Sequence, residues 1–141
     1  MTININYLAV VGAAIFSIVL GFFWYGPLFG KKWIALSSMT NEKIASMKKS
    51  GMTKNYLLMT AGTLLMSYVL AHALIFASEY TKITGIQAGI MAGLWNWLGF
   101  IAPVTLGAVL WEGKSWKLWL LNNAFYLVSL IGMGIILALW K

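Results

Sequence analysis

Four stretches of this chain contain at least 20 residues without Asp, Glu, Lys or Arg: roughly 5–25, 55–78, 85–110 and 117–140. Their hydrophobicity is continuous, whereas the strands of a membrane barrel alternate apolar and polar positions. A helix needs about 20 apolar residues to cross a hydrocarbon core of about 30 Å. The pattern therefore predicts four transmembrane helices in an antiparallel bundle, one domain over residues 1–141. Residues 40–50 read differently. Thr40 suits an N-cap, and Ile44 and Met47 fall on one face with lysines around them, so a short amphipathic helix is expected at the membrane surface. No lysine precedes the first apolar segment and no cleavage motif follows it, which reads as a retained helix rather than a signal peptide.

Composition agrees. The 141 residues are 61% hydrophobic and 9% charged, against about 25% charged in soluble domains. The charges are also sorted. Lys31, Lys32, Lys43, Lys48, Lys49 and Lys54 lie between segments one and two, and Lys114 and Lys117 lie between segments three and four. Only Lys82 and Lys141 belong to the other side. Lysine-rich loops favour the cytoplasm. This places loops one and three inside, both termini outside, and the protein in the cytoplasmic (inner) membrane. Basic residues so arranged point to membrane lipids as partners and away from nucleic acid, which has no basic-and-aromatic fold to rest on here.

The stretch FFWYGPLFGKKW, residues 22–33, closes the first segment. Trp24, Tyr25 and Trp33 suit the headgroup level, and Lys31 and Lys32 suit anionic headgroups. Gly26-Pro27 is expected to end the helix, because the residue before proline disfavours the α region. GPLFGKK is no phosphate loop: its glycines are one residue too close, and Lys32 stands where Ser or Thr is needed.

Small residues recur every fourth position. Ala9, Ala13, Ser17 and Gly21 line helix one, and Gly85, Gly89 and Gly93 line helix three. In lipid such faces let helices approach closely, within a chain or between copies. A faint internal repeat joins the same helices. Leu20-Gly21-Phe22 recurs as Leu98-Gly99-Phe100, each followed by a proline, Pro27 and Pro103, and by a Lys-x-Trp. Pro103 is expected to kink helix three.

Candidate chemistry is sparse. His72, the only histidine, shares a face with Tyr68 and Glu79. It reads either as a proton or cation site or as a neutral ring bonded across helices. Asn96, between Trp95 and Trp97 and on the glycine face, reads as a ligand carboxamide or as an interhelical hydrogen bond. Asn122, Tyr126 and Ser129 form a polar stripe on helix four. Tyr126 and Ser129, with Asn96, Ser17 and Ser67, would make a belt near the midplane, where transporters place substrates. No catalytic constellation, metal site or cofactor motif is found, so the chain reads as a non-enzyme.

The segments NYLAVVGAAIFSIVLGFFWYGPLFGKKW (6–33), SYVLAHALIF (67–76), LGFIAP (98–103) and YLVSLIGMGIILALW (126–140) resemble a bacterial family of small four-helix membrane proteins, domain of unknown function, family seventeen sixty-one. The resemblance implies a four-helix integral membrane domain and assigns no activity. Two functions are expected: translocation or binding of an ion or small molecule by a homo-oligomer, or an accessory role that binds lipid or a larger protein.

Overall fold

The computed structural model describes residues 2–141, and no strand occurs among them. Four helical spans are long and apolar enough to cross a membrane: Tyr7–Leu28, Thr53–Thr81, Gly85–Leu110 and Trp116–Leu139. The protein is an all-α membrane protein, as the continuous hydrophobic runs required.

Seven α-helical stretches build it. Helix α1 (Tyr7–Phe23) starts where the Asn6 side chain accepts from the backbone N–H groups of Leu8 and Ala9. These would otherwise be orphaned donors of the first turn. Short helices α2 (Gly30–Leu36) and α3 (Asn41–Ser50) follow. Thr40 caps α3 as expected, its hydroxyl accepting from Lys43 N–H at 3.1 Å. Helix α4 (Thr53–Thr81) returns across the span. The third span consists of α5 (Gly85–Asn96) and α6 (Ala102–Leu110). Helix α7 (Trp116–Leu139) closes the bundle, with Ser115 as its N-cap.

The spans form a ring in which α1 packs on α4 and α7, and α5 packs on the same two helices from the other side. Every neighbour around that ring is antiparallel. Ala9, Ala13, Leu70, Ala71, Ala88, Ala92, Leu130 and Met133 fill the centre.

Both small-residue stripes are consumed inside the chain. A Cβ on Gly89 would stand 2.5 Å from the Gly134 carbonyl oxygen, and one on Gly93 would stand 2.5 Å from that of Leu130. Backbone meets backbone along α5 and α7, so glycine is required there by contact. On α1, Ala9, Ala13 and Ser17 are buried, and Gly21 faces the Phe125 ring. Gly85 alone departs from its stripe. It sits at φ +68° with open space around it and starts the helix.

Two spans contain a widened turn with i→i+5 geometry: Trp24–Leu28 and Trp97–Ile101. The first carries the break expected at Gly26-Pro27. Only Gly26 leaves helical angles (φ −110°, ψ −105°), and the turn runs on to Leu28. The chain therefore kinks directly before Pro27, and wide-turn hydrogen bonding carries it on to Phe29. Gly30 then starts α2, where a Cβ would approach the Tyr25 carbonyl oxygen to 2.6 Å. The second interrupts the third span just ahead of Pro103, close to the kink expected there. That proline sits in the first turn of α6, where a missing N–H costs nothing, and the irregularity lies ahead of it. The faint repeat thus coincides with a shared feature, since Leu-Gly-Phe precedes one wide turn and lies within the other.

Candidate functional site

Two chambers open at the lysine-rich end of the bundle and meet at α7. The larger, about 570 Å³, lies between α3, the start of α4 and the first turns of α7. Its walls include Trp33, Met39, Ile44, Met47, Met59 and Phe125, with Lys48 also lining it. Ile44 and Met47 are the apolar face that the pattern of α3 predicts, and they turn toward this space. Met39, Met47, Met52 and Met59 all contribute. Methionine is flexible and polarisable, so such a wall adapts to what it contacts.

One side of this chamber is fixed by aromatic packing. The Tyr25 ring stands edge-on to Phe125 at 5.2 Å and to Trp33 at 6.0 Å. Its hydroxyl donates to Asn122 Oδ1 at 2.8 Å. Trp24 packs on Phe29 at 4.8 Å and on Phe125 at 6.1 Å, and its indole N–H is buried without an acceptor among the described residues. Both side chains therefore turn toward α7 at the lysine-rich end of the first span. The wide turn beneath them re-aims these side chains, and α7 offers Phe125 and Asn122 as partners.

The smaller chamber, about 170 Å³, lies on the α6 side of α7. Asn122 and Tyr126 line both chambers. Here the walls are polar: Thr105, Lys114, Trp119 and Asn123. Asn123 is 2% exposed and Thr105 half-buried. Asn123 Nδ2 donates to Thr105 Oγ1 at 3.0 Å and to the Trp119 carbonyl at 3.1 Å. Trp119 Nε1 also donates to Thr105 Oγ1 at 3.0 Å, and Trp97 Nε1 donates to the Asn123 carbonyl at 3.0 Å. Thr105 has one proton, and its shortest acceptor is the Ile101 carbonyl at 2.7 Å. With that proton used, Asn123 Oδ1 holds no firm donor.

The expected midplane belt is divided among four places. Ser17 and Ser129 hydrogen-bond to each other at 2.7 Å in the dry core, and Ser67 donates to the Val10 carbonyl at 2.8 Å. These are cross-links between helices, with no chamber beside them. Asn96 donates to its own Ala92 carbonyl at 2.8 Å and lines a cavity of about 190 Å³ between α4 and α5. The glycine face meets α7, and Asn96 lies round the helix from it toward α4. His72 Nδ1 sits 2.9 Å from the Tyr68 carbonyl, and the Tyr68 and His72 rings stand edge-on at 4.5 Å. Tyr68 also stacks on Tyr7 at 6.5 Å. Glu79 does not join them, because it pairs with Lys82 at 3.1 Å on the exposed surface. Of the six candidates, only Asn122 and Tyr126 share a site. Asn123, Thr105 and Trp119, the centre of the polar node, went unnoticed in the sequence. The adjacent pair Asn122-Asn123 was the available signal.

At the opposite end, a cavity of about 520 Å³ opens between the N-terminal segment and the α4–α5 turn, with Asn4, Asn6, Glu79 and Lys82 on its walls. Among the described residues no three His, Asp or Glu side chains converge. The family model described as "Protein of unknown function (DUF1761)" matches residues 8–138. The chain belongs to this family. DUF1761 carries no assigned activity in that description, so the chambers are interpreted from their own chemistry. No curated protein and no solved structure matches the chain.

Proposed function

We propose that this DUF1761 protein is a membrane protein that binds an apolar small molecule in the chamber beneath α3. The observation that carries the reading is the 570 Å³ space itself, walled by methionines and aromatic rings with few polar groups. Ligand sites are concave, mostly apolar spaces of about 300–1,000 Å³ with a small number of placed polar groups. Lysine distribution supports a cytoplasmic position for this end.

Of the two halves of the expected activity, binding has more support than translocation. Between the two ends, Met133, Ser67 and Ser129 are fully buried and Leu130 is nearly so, leaving the middle of a single chain packed. The small-residue faces, which could have met either the same chain or another copy, are engaged within the chain. The reading therefore needs no second copy.

The test uses a long-chain fatty alcohol bearing a terminal diazirine, added to the protein in phosphatidylcholine vesicles. Photolabelled peptides are mapped by mass spectrometry. The expected result is labelling of Phe125, the buried wall of the chamber, that excess unlabelled alcohol removes. Met59→Trp, which fills the chamber, should abolish it while leaving labelling of the outward Trp95 and Phe100 unchanged. Labelling confined to outward residues would sink the reading.

A further inference from the structure

We infer that the ligand is an amphiphile with an anionic head, and that the small chamber beside Thr105 and Asn123 is the headgroup subsite. This inference rests on the binding reading above and names the ligand class for the same site.

The two chambers differ in kind and share two residues. Asn122 and Tyr126 stand on the border, with apolar walls on one side and Thr105, Lys114, Trp119 and Asn123 on the other. A molecule lying across that border would place a hydrocarbon chain among methionines and a polar group against the node. The arrangement separates the two ends of an amphiphile as a bilayer does.

Donors outnumber acceptors around the border. Asn122 Oδ1 is engaged by the Tyr25 hydroxyl. That bond fixes the carboxamide, so its Nδ2 has a set direction. Among the described residues neither Asn122 Nδ2 nor the Tyr126 hydroxyl has a hydrogen-bond partner in the protein. Lys114 adds an ammonium on the same wall, and no carboxylate lines either chamber. Two neutral donors and an exposed lysine among the residues that line this small space suit a carboxylate or phosphate oxygen, because hydrogen bonds to an ionised acceptor are the strong ones. Asn123 Oδ1 can accept a hydrogen bond from a water beside the head. The 170 Å³ volume has room for such a group with one or two waters, at about 30 Å³ of liquid per water.

The polar node also explains why the subsite keeps its shape. Thr105 accepts from both Trp119 and Asn123, and Trp97 holds the Asn123 backbone. These bonds lock the wall before a ligand arrives, which lowers the ordering cost of binding. Lys48 on the larger chamber is the competing cation, and it makes the placement testable.

The experiment compares three diazirine probes of equal chain length in phosphatidylcholine vesicles: the fatty alcohol, the fatty acid, and a phosphatidylglycerol carrying the labelled chain. The acid, the phosphatidylglycerol or both should label the methionine chamber about tenfold more efficiently than the alcohol, the range expected for charged hydrogen bonds. Lys114→Gln and Asn122→Leu should each reduce that preference to near the alcohol level, while Lys48→Gln should leave it. Whichever anionic probe labels identifies the source of the head as free acid or phospholipid. Equal labelling by alcohol and anions would overturn this inference and leave the apolar chamber as a binding site. Loss of preference in Lys48→Gln but not in Lys114→Gln would also overturn it, by moving the head to the outer lip. Chamber labelling by none of the probes would refute the binding reading itself. Tyr126→Phe, which keeps the ring and removes one donor, guards against misfolding of the other variants and should lower the preference by a smaller factor.

Discussion

The α5–α7 seam and the chamber under α3 are built from opposite materials. Along the seam Gly89 and Gly134 bring two backbones into contact, and no side chain separates them. Around the chamber four methionines, the longest and least committed apolar side chains, border a space of about 570 Å³. In lipid no hydrophobic force draws helices together, so close backbone packing supplies much of their association. The seam meets that need and holds the fold. The chamber is thereby relieved of it and can remain open. Close packing and open space are thus separated along one molecule, one in the middle and one at the lysine-rich end.

The sharpest way to break this division is at the seam. Gly89→Leu places a side chain against the Gly134 carbonyl, which is backbone and cannot swing away. It should cost more than about 3 kcal/mol, beyond the usual range for overpacking, and abolish a monodisperse peak in gel filtration. Gly62→Leu and Gly99→Leu are the control, because a Cβ there meets nothing within 4 Å. Both should elute as the parent does. If Gly89→Leu is also tolerated, the seam is not what holds the bundle.

Next in size is the polar node. Asn123→Leu removes two donated hydrogen bonds from a residue that is 2% exposed. A loss of about 1–2 kcal/mol in unfolding free energy is expected. Ser17→Ala and Ser129→Ala should each cost about 0.6 kcal/mol, and the double variant should cost less than their sum, since one bond joins them. Additive costs in that cycle would mean the two hydroxyls act independently. The smallest effect is expected in the chamber. Met47→Leu should shift stability by less than about 0.5 kcal/mol. A large loss there would make the chamber wall part of the scaffold and erase the contrast.

Much of the scaffold could be read from the sequence. Four uncharged runs gave four spans, and Thr40 with Ile44 and Met47 gave α3 with the correct apolar face. The small-residue stripes correctly marked close packing. They could not identify the partner, because a glycine face has the same pattern whether it meets α7 or another copy. The site was less legible. Trp24 and Tyr25 sit beside lysines, and an interfacial aromatic looks the same in sequence whether or not it turns onto Phe125. Asn122 stood out through its spacing with Tyr126 and Ser129. Asn123 did not, although it is the more buried, because α7 touches α1, α4, α5 and α6 and has several inward faces. Neither wide turn has a fixed sequence mark.

The wide turn at Trp97–Ile101 determines more than a local bend. In an unbroken α-helix, at about 100° per residue, Thr105 would lie about 120° round the axis from Gly93. One residue absorbed by the wide turn brings that difference to about 20°, so Gly93 and Thr105 both address α7. The span behaves as two rods with separate phase, coupled by a one-residue spacer. Comparisons among DUF1761 sequences should therefore allow a single-residue gap at this point, where losing one residue changes which chemistry α6 presents without disturbing the glycines above it.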